Sequence, residues 1–335
     1  MKKTKKLLAC LIAAATMFTM GSTAFAERVE TPTTYTDQST VTIKKQYNLE
    51  GQGTSPAEDF KFTVAKTGVS DSAITNPEDI PEISVGNIHF EENSESTVSA
   101  STDITLPKYP SVGVYTYEIT EVPGRTAGVI YDTTPVVLKV TVVDDNGELK
   151  RIVSLKKDGT KLSDDGNAFT NTYRAGTLDI SKNVDGNLGD KKKYFAFDVT
   201  LNGQSDKNTA ESFSVGKTSY EENPETIRLG AKTTFYLKHG EILDIKNLPY
   251  GLTYTVEECN YTSDGYTTTV NNNDVRTLAN QEVNSVTQEA AFTNTKNGKI
   301  DTGINLTTLP YILVFAGVIV IAGAAFITRR RKYED

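Results

Sequence analysis

The chain has 335 residues, a formal charge of −8, no tryptophan, two cysteines and two histidines. So acidic a chain lacks the clustered cations that a phosphate backbone demands, which excludes nucleic acid as a partner. His89 and His239 stand in unrelated contexts and no Gly-rich phosphate loop occurs, so no metal, no cofactor and no histidine-based catalytic triad is expected.

The N-terminus reads as an export signal. Lys2, Lys3, Lys5 and Lys6 precede an apolar run from Leu7 to Met20, and Ala24-Phe25-Ala26 supplies a small-x-small cleavage site. A signal peptide over 1–26 follows, with a mature chain beginning at Glu27. Cys10 leaves with that peptide, so Cys259 is alone and no disulfide within the mature chain is possible. An extracellular protein of this kind needs stability from another source.

The rest of the chain repeats itself. Val41-Thr42-Ile43-Lys44-Lys45 corresponds to Leu178-Asp179-Ile180-Ser181-Lys182, and Phe60-Lys61-Phe62-Thr63-Val64 to Phe195-Ala196-Phe197-Asp198-Val199. Tyr117-Glu118-Ile119-Thr120-Glu121 corresponds to Tyr254-Thr255-Val256-Glu257-Glu258, and Ala168-Phe169-Thr170-Asn171-Thr172 recurs verbatim from Ala291 to Thr295. The period is too long for a solenoid, so these are tandem copies of one domain, over 27–173 and 174–297. Every matched segment alternates apolar and polar residues, as does Val136 to Val142, which is the period of a β-strand. Clusters such as Asp144-Asp145-Asn146-Gly147 separate them as turns. The expected fold is all-β, two tandem immunoglobulin-like β-sandwiches.

Strand parity singles out three residues per copy. Lys45 shares a face with Val41 and Ile43, and Lys182 with Leu178 and Ile180. Glu121 shares one with Tyr117 and Ile119, and Glu258 with Tyr254 and Val256. Asn171 follows Phe169 on the inward face, and Asn294 follows Phe292. Lys44 is the register rival of Lys45, and parity decides against it. The Lys-to-Glu separation is 76 residues in both copies. Burial lowers a lysine pKa and raises a glutamate pKa until both are neutral. A neutral amine is a nucleophile. A protonated Glu can polarise the Asn carbonyl and carry a proton to departing ammonia, leaving a Lys–Asn isopeptide bond. One such triad on its own reads as a buried hydrogen-bonded network, or as strand-end side chains reaching for water. Duplication of all three positions favours the reaction, with Glu121 and Glu258 in the catalytic role.

The C-terminus has three parts in order. Lys299-Ile300-Asp301-Thr302-Gly303 comes first, then an apolar span over 309–327, then a basic tail over 328–335 containing Arg329, Arg330, Arg331 and Lys332. The span approaches the ~30 Å hydrocarbon thickness, and its basic end stays cytoplasmic. This order resembles a cell-wall sorting signal, which a sortase cleaves between Thr and Gly, here Thr302 and Gly303. The proline of the usual Leu-Pro-x-Thr-Gly is absent.

Taken together, Val-Thr-Ile-Lys-Lys, Tyr-Glu-Ile-Thr-Glu, Tyr-Asp-Thr-Thr, Phe-Thr-Asn, their second copies and the sorting signal resemble FctA-type major pilins of Gram-positive bacteria, over the whole mature chain. The resemblance implies a self-formed isopeptide bond in each domain, Lys45–Asn171 and Lys182–Asn294. It implies a secreted, wall-anchored pilus subunit whose precursor is transiently membrane-bound. Its partners are then sortase, identical subunits, minor pilins and peptidoglycan. It also implies an acceptor lysine late in the first domain, where Lys161 is the best positional match among Lys156, Lys157 and Lys161; Leu106-Pro107-Lys108 only faintly echoes another pilin motif. The bond forms once per domain, so turnover catalysis is not expected. A wall-anchored adhesin or minor pilin that holds a ligand is the alternative.

Overall fold

The computed structural model describes residues 34–163 and 166–299. The expected signal peptide, Thr302 and Gly303, the apolar span and the basic tail lie outside the described residues. Within them no helix is long and apolar enough to cross a membrane. Regular structure is almost all strand. The first half holds β1 (Thr40–Gly51), β2 (Glu58–Ser70), β3 (Ile88–Phe90), β4 (Thr97–Thr105), β5 (Gly113–Val122), β6 (Val129–Ile130), β7 (Val136–Asp145), β8 (Glu148–Lys157) and β9 (Thr160–Lys161). β10 (Phe169–Asp185) follows, and then β11 (Phe195–Asn202), β12 (Ser212–Ser214), β13 (Thr226–Arg228), β14 (Thr233–Leu237) and β15 (Glu241–Pro249). The last four are β16 (Thr253–Glu258), β17 (Thr267–Val270), β18 (Thr277–Glu282) and β19 (Thr287–Thr295).

The alternation in the sequence becomes alternation in burial. Val136, Leu138, Val140 and Val142 of β7 all face inward, as do Tyr115, Tyr117 and Ile119 of β5. The β7–β8 hairpin closes through Asn146 and Gly147, at φ 58° and 90°. Both central residues of the favoured two-residue turn need positive φ, which Asn and Gly tolerate. In the first half one sheet runs β3-β2-β5-β7-β8-β9. In the second half the corresponding sheet runs β14-β11-β16-β18. A further sheet, with the path β17-β19-β10-β1-β4, faces both. β1 and β10 pair in parallel, and so do β10 and β19. The first strand of each half therefore lies beside its last.

The last strand of the first half and the first strand of the second are a single element, the 17-residue β10. Its inward residues change parity along its length. Phe169, Asn171, Tyr173 and Ala175 are buried in the first half; Leu178, Ile180, Lys182 and Val184 are buried in the second. A regular strand points alternate residues to opposite faces, so the two cores draw on opposite faces of β10; the pairing with β15 shifts between Gly176 and Leu178, and the extra residue lies on β15, between Leu248 and Ile245. Gly176 suits this point, because a Cβ there would lie 2.3 Å from the Ser285 carbonyl oxygen. The core of the second half is one cluster that includes Leu178, Phe197, Val256 and Phe292. The first half has two, one around Ile43, Tyr117 and Phe169 and one around Tyr47, Phe60 and Tyr173. The halves also touch directly. Asn208 N–H donates to the Arg125 carbonyl at 2.7 Å and Ala127 N–H to the Asn208 carbonyl at 2.9 Å.

Candidate functional site

Each half carries a Lys, a Glu and an Asn on three strands that converge in its core. In the first they stand on β1, β5 and β10, in the second on β10, β16 and β19. The placement is equivalent in detail. Lys45 lies opposite Phe169 and Tyr47 opposite Asn171; Lys182 lies opposite Phe292 and Val184 opposite Asn294. The sheet that supplies the Glu is likewise equivalent, because Phe62 pairs with Glu121 and Phe197 with Glu258. None of the six side chains is more than 2% exposed. The inward lysine of β1 is Lys45 and not Lys44.

In the first site Lys45 Nζ donates to Glu121 Oε2 at 2.5 Å. Asn171 Nδ2 donates to the other oxygen, Glu121 Oε1. The Asp132 backbone N–H donates to Asn171 Oδ1 at 2.9 Å. Phe60 walls the site, with its ring centroid 4.1 Å from Lys45 Nζ. In the second site Lys182 Nζ and Asn294 Nδ2 both donate to Glu258 Oε1, at 2.8 and 2.9 Å. Phe195 takes the place of Phe60, 4.3 Å from Lys182 Nζ.

The electrostatics follow from the dryness of both sites. Burial pushes the Lys45 amine down and the Glu121 carboxyl up. It pushes Lys182 down to about 8 and Glu258 up as well. Charge on either partner costs desolvation that one ion pair barely recovers, so the neutral amine and neutral acid gain weight. That is the protonation state in which a lysine attacks a carbonyl carbon. The glutamate bridges the amine and the amide nitrogen, so it can take a proton from the first and give it to the second. Here it contacts the Asn through Nδ2. The sequence reading had the glutamate polarise Oδ1, yet in the first site a backbone N–H occupies that oxygen.

Three neighbours were not legible as site residues. Asp132 is one. Glu58 is another: it is partly buried, accepts a hydrogen bond from the Tyr131 hydroxyl and has its carboxyl raised by burial. Its counterpart two residues before the matching Phe is Lys193, which pairs with Asp264 and lies 4.7 Å from the Tyr261 ring centroid. The two copies differ at these positions, so a search for repeated residues passes over them.

The acceptor candidates separate by environment. Lys161 is exposed on the edge strand β9, opposite Lys156. Lys157 is engaged, its Nζ 2.5 Å from Asp132 Oδ2 and 2.8 Å from the Ala168 carbonyl oxygen. Lys108 is exposed in the connection between β4 and β5. Cys259 is unpaired.

Residues 41–174 match the FctA family, the Spy0128-like isopeptide containing domain, and residues 176–296 match a domain of unknown function, DUF7601. A pilin of Streptococcus pyogenes serotype M1 is 27% identical over 337 residues, covering 92% of this chain and 96% of that protein. A pilus tip adhesin, Cpa, of Streptococcus pyogenes is 35% identical over 81 residues, 24% of this chain and 11% of the adhesin. The crystal structure of the major pilin from Streptococcus pyogenes shares the fold, with a TM-score of 0.54 and 23% identity over 78% of this chain and 100% of that one.

Proposed function

We propose that this protein, whose residues 41–174 match the FctA family of isopeptide-containing domains and which is similar to a pilin over 92% of its length, is the repeating subunit of a sortase-assembled pilus. In this reading the tandem immunoglobulin-like domains, 27–173 and 174–297, are each braced by a self-formed bond, Lys45–Asn171 and Lys182–Asn294. Sortase cleaves between Thr302 and Gly303 and joins Thr302 to Lys161 of a neighbouring subunit or, at the base, to the wall.

One observation carries the reading: the same buried triad occurs twice, with the same strand register and with a glutamate that bridges the lysine amine and the asparagine amide nitrogen in each. A purely structural polar network satisfies its groups wherever it can. Here Asn294 Oδ1 is buried without a hydrogen-bond partner, which is costly to keep. The reaction balances simply. Neutral Lys Nζ attacks Asn Cγ, Glu takes a proton from the amine and delivers one to Nδ2, and the C–Nδ2 bond breaks to release ammonia. Contact held in a dry core supplies the proximity.

Intact mass of the purified mature chain tests this. The expected mass falls short of the sequence by two molecules of ammonia; Glu121→Ala and Glu258→Ala each restore one. A mass equal to the sequence defeats the reading.

The 81-residue similarity to a tip adhesin favours a second reading, an anchored adhesin or minor pilin. A ladder of covalent polymers in wall extracts, dependent on this protein, supports the backbone role. A single anchored band supports the adhesin.

A further inference from the structure

The two triads differ in what meets the asparagine oxygen. Asn171 Oδ1 receives the Asp132 backbone N–H at 2.9 Å; Asn294 Oδ1 receives nothing. The chain path explains the difference. After Val129 and Ile130 pair with β10, the first half leaves the ladder and turns at Asp132. In the second half the corresponding chain stays in register, Thr267 to Val270 running along β19 with Thr268 opposite Asn294.

The turn at Asp132 is held from several sides. Lys157 Nζ lies 2.5 Å from Asp132 Oδ2. Thr170 N–H donates to the same oxygen at 2.8 Å, and Thr134 N–H donates to Oδ1 at 3.1 Å. Thr170 immediately precedes Asn171, so the carboxylate ties its own backbone to the strand that carries the reacting amide. Partial burial works against its charge, but Lys157 and the two amides outweigh that and hold the carboxyl below its usual range. The second copy has Thr267 at the matching position after its tyrosine, with no carboxylate to make these contacts.

We propose that Asp132 is a positioning residue for the first cross-link: its clamped carboxylate aims its own backbone N–H at Asn171 Oδ1, where negative charge develops as Lys45 attacks. The inference rests on the bond-forming reading above and adds a part that only the first half possesses. A donor fixed in advance on a developing oxyanion lowers the barrier without reorganisation, and loss of one such donor commonly slows a reaction by roughly 100- to 1,000-fold. Removing the carboxylate leaves the N–H in place but unaimed, so the expected slowing is smaller, on the order of tenfold.

The test is a time course on newly made chain. The full mature protein is synthesised in a cell-free system, quenched in acid at intervals and digested, and the Lys45–Asn171 and Lys182–Asn294 linked peptides are quantified by mass spectrometry. Asp132→Ala should slow the first linkage about tenfold while the second forms at its wild-type rate in the same molecules. Asp132→Asn keeps one acceptor oxygen, enough for either the Thr170 or the Thr134 amide, and should fall between. Near-ultraviolet circular dichroism in a Lys45→Ala background, where no first bond can form, shows whether Asp132→Ala alters the fold. If it does, the same rate criterion passes to Asp132→Asn. First-site formation within twofold of wild type in the folded variant overturns the proposal. Absence of both linkages from the wild type instead defeats the bond-forming reading, so the two failures are told apart.

Discussion

Asn247 and Thr54 hold each other across the junction between the halves by two hydrogen bonds. Thr54 N–H donates to Asn247 Oδ1 at 3.1 Å, and Asn247 Nδ2 donates to the Thr54 carbonyl at 3.0 Å. Asn247 adopts φ 58°, a conformation Asn accepts more readily than most residues. The side chain and the backbone of one residue thus both serve the junction.

Asn247→Ala should destabilise the protein by about 1–3 kcal/mol, since it removes both bonds and places a Cβ-only residue in left-handed backbone. Asn247→Gly loses the same bonds without the backbone cost and should be milder. Urea unfolding of both variants checks this; equal losses would show that the backbone conformation contributes nothing.

In the proposed reading, Asn171→Ala and Asn294→Ala each remove one cross-link between terminal strands. A bond closing a loop on the order of 100 residues restricts the unfolded chain by about 4–5 kcal/mol. Both variants should melt lower and be cut faster by trypsin. In single-molecule pulling from the two ends of the mature chain they should extend in steps, whereas wild-type domains hold until the tether detaches. Full-length unfolding steps in the wild type would refute the mechanical role even with both bonds present.

Asn294→Ala also leaves Lys182 as a titrating amine. Burial holds it at about 8 in the fold, against 10.5 for an ordinary lysine. Between those values the unfolded chain carries the proton and the folded chain does not, so stability rises with pH, by at most about 1.4 kcal/mol per unit. Below about 8 both states are protonated and the dependence fades. In the cross-linked wild type of the proposed reading, the Lys182 nitrogen is an amide and does not titrate. The stability gap between wild type and Asn294→Ala, measured by urea unfolding from pH 7 to 10, should therefore narrow. A constant gap contradicts the buried-amine account.

Digests of the assembled polymer should contain a branched peptide joining Thr302 to Lys161. Exposure favours Lys161, and the contacts of Lys157 with Asp132 and Ala168 disfavour its neighbour. A branch at Lys108, Lys156 or Lys157 refutes the residue and leaves transpeptidation standing.

Much of this was legible in the alternation of the chain. Parity alone separates Lys45 from Lys44 and turns Glu121 and Glu258 inward, because a half-buried strand presents every second residue to the core. The parity also held a clue to β10. The inward residues are odd at Phe169 and Asn171 but even at Leu178 and Ile180, so a single strand there must present opposite sets of alternating residues to the two cores. Asp132 was not legible, since its contribution is a backbone N–H aimed by a turn, and a turn with no repeat leaves no pattern. The junction through Asn247, Thr54 and Asn208 depends on loops far apart in sequence and gives no periodic signal.

β10 has a consequence for variation. With both bonds formed and Lys161 joined to the next subunit, tension runs from Lys161 to Asn171, along β10 to Lys182, across to Asn294 and out toward Thr302. The stretch of β10 between the two bonds is about 36 Å of already extended chain. The chain before Lys161 and residues 183–293 then lie off this line. Their loops carry no tensile load and need only keep the cores closed around two triads. Such a subunit can change most of the surface it shows to antibodies while the strength of the fibre stays fixed by a handful of buried side chains and one strand.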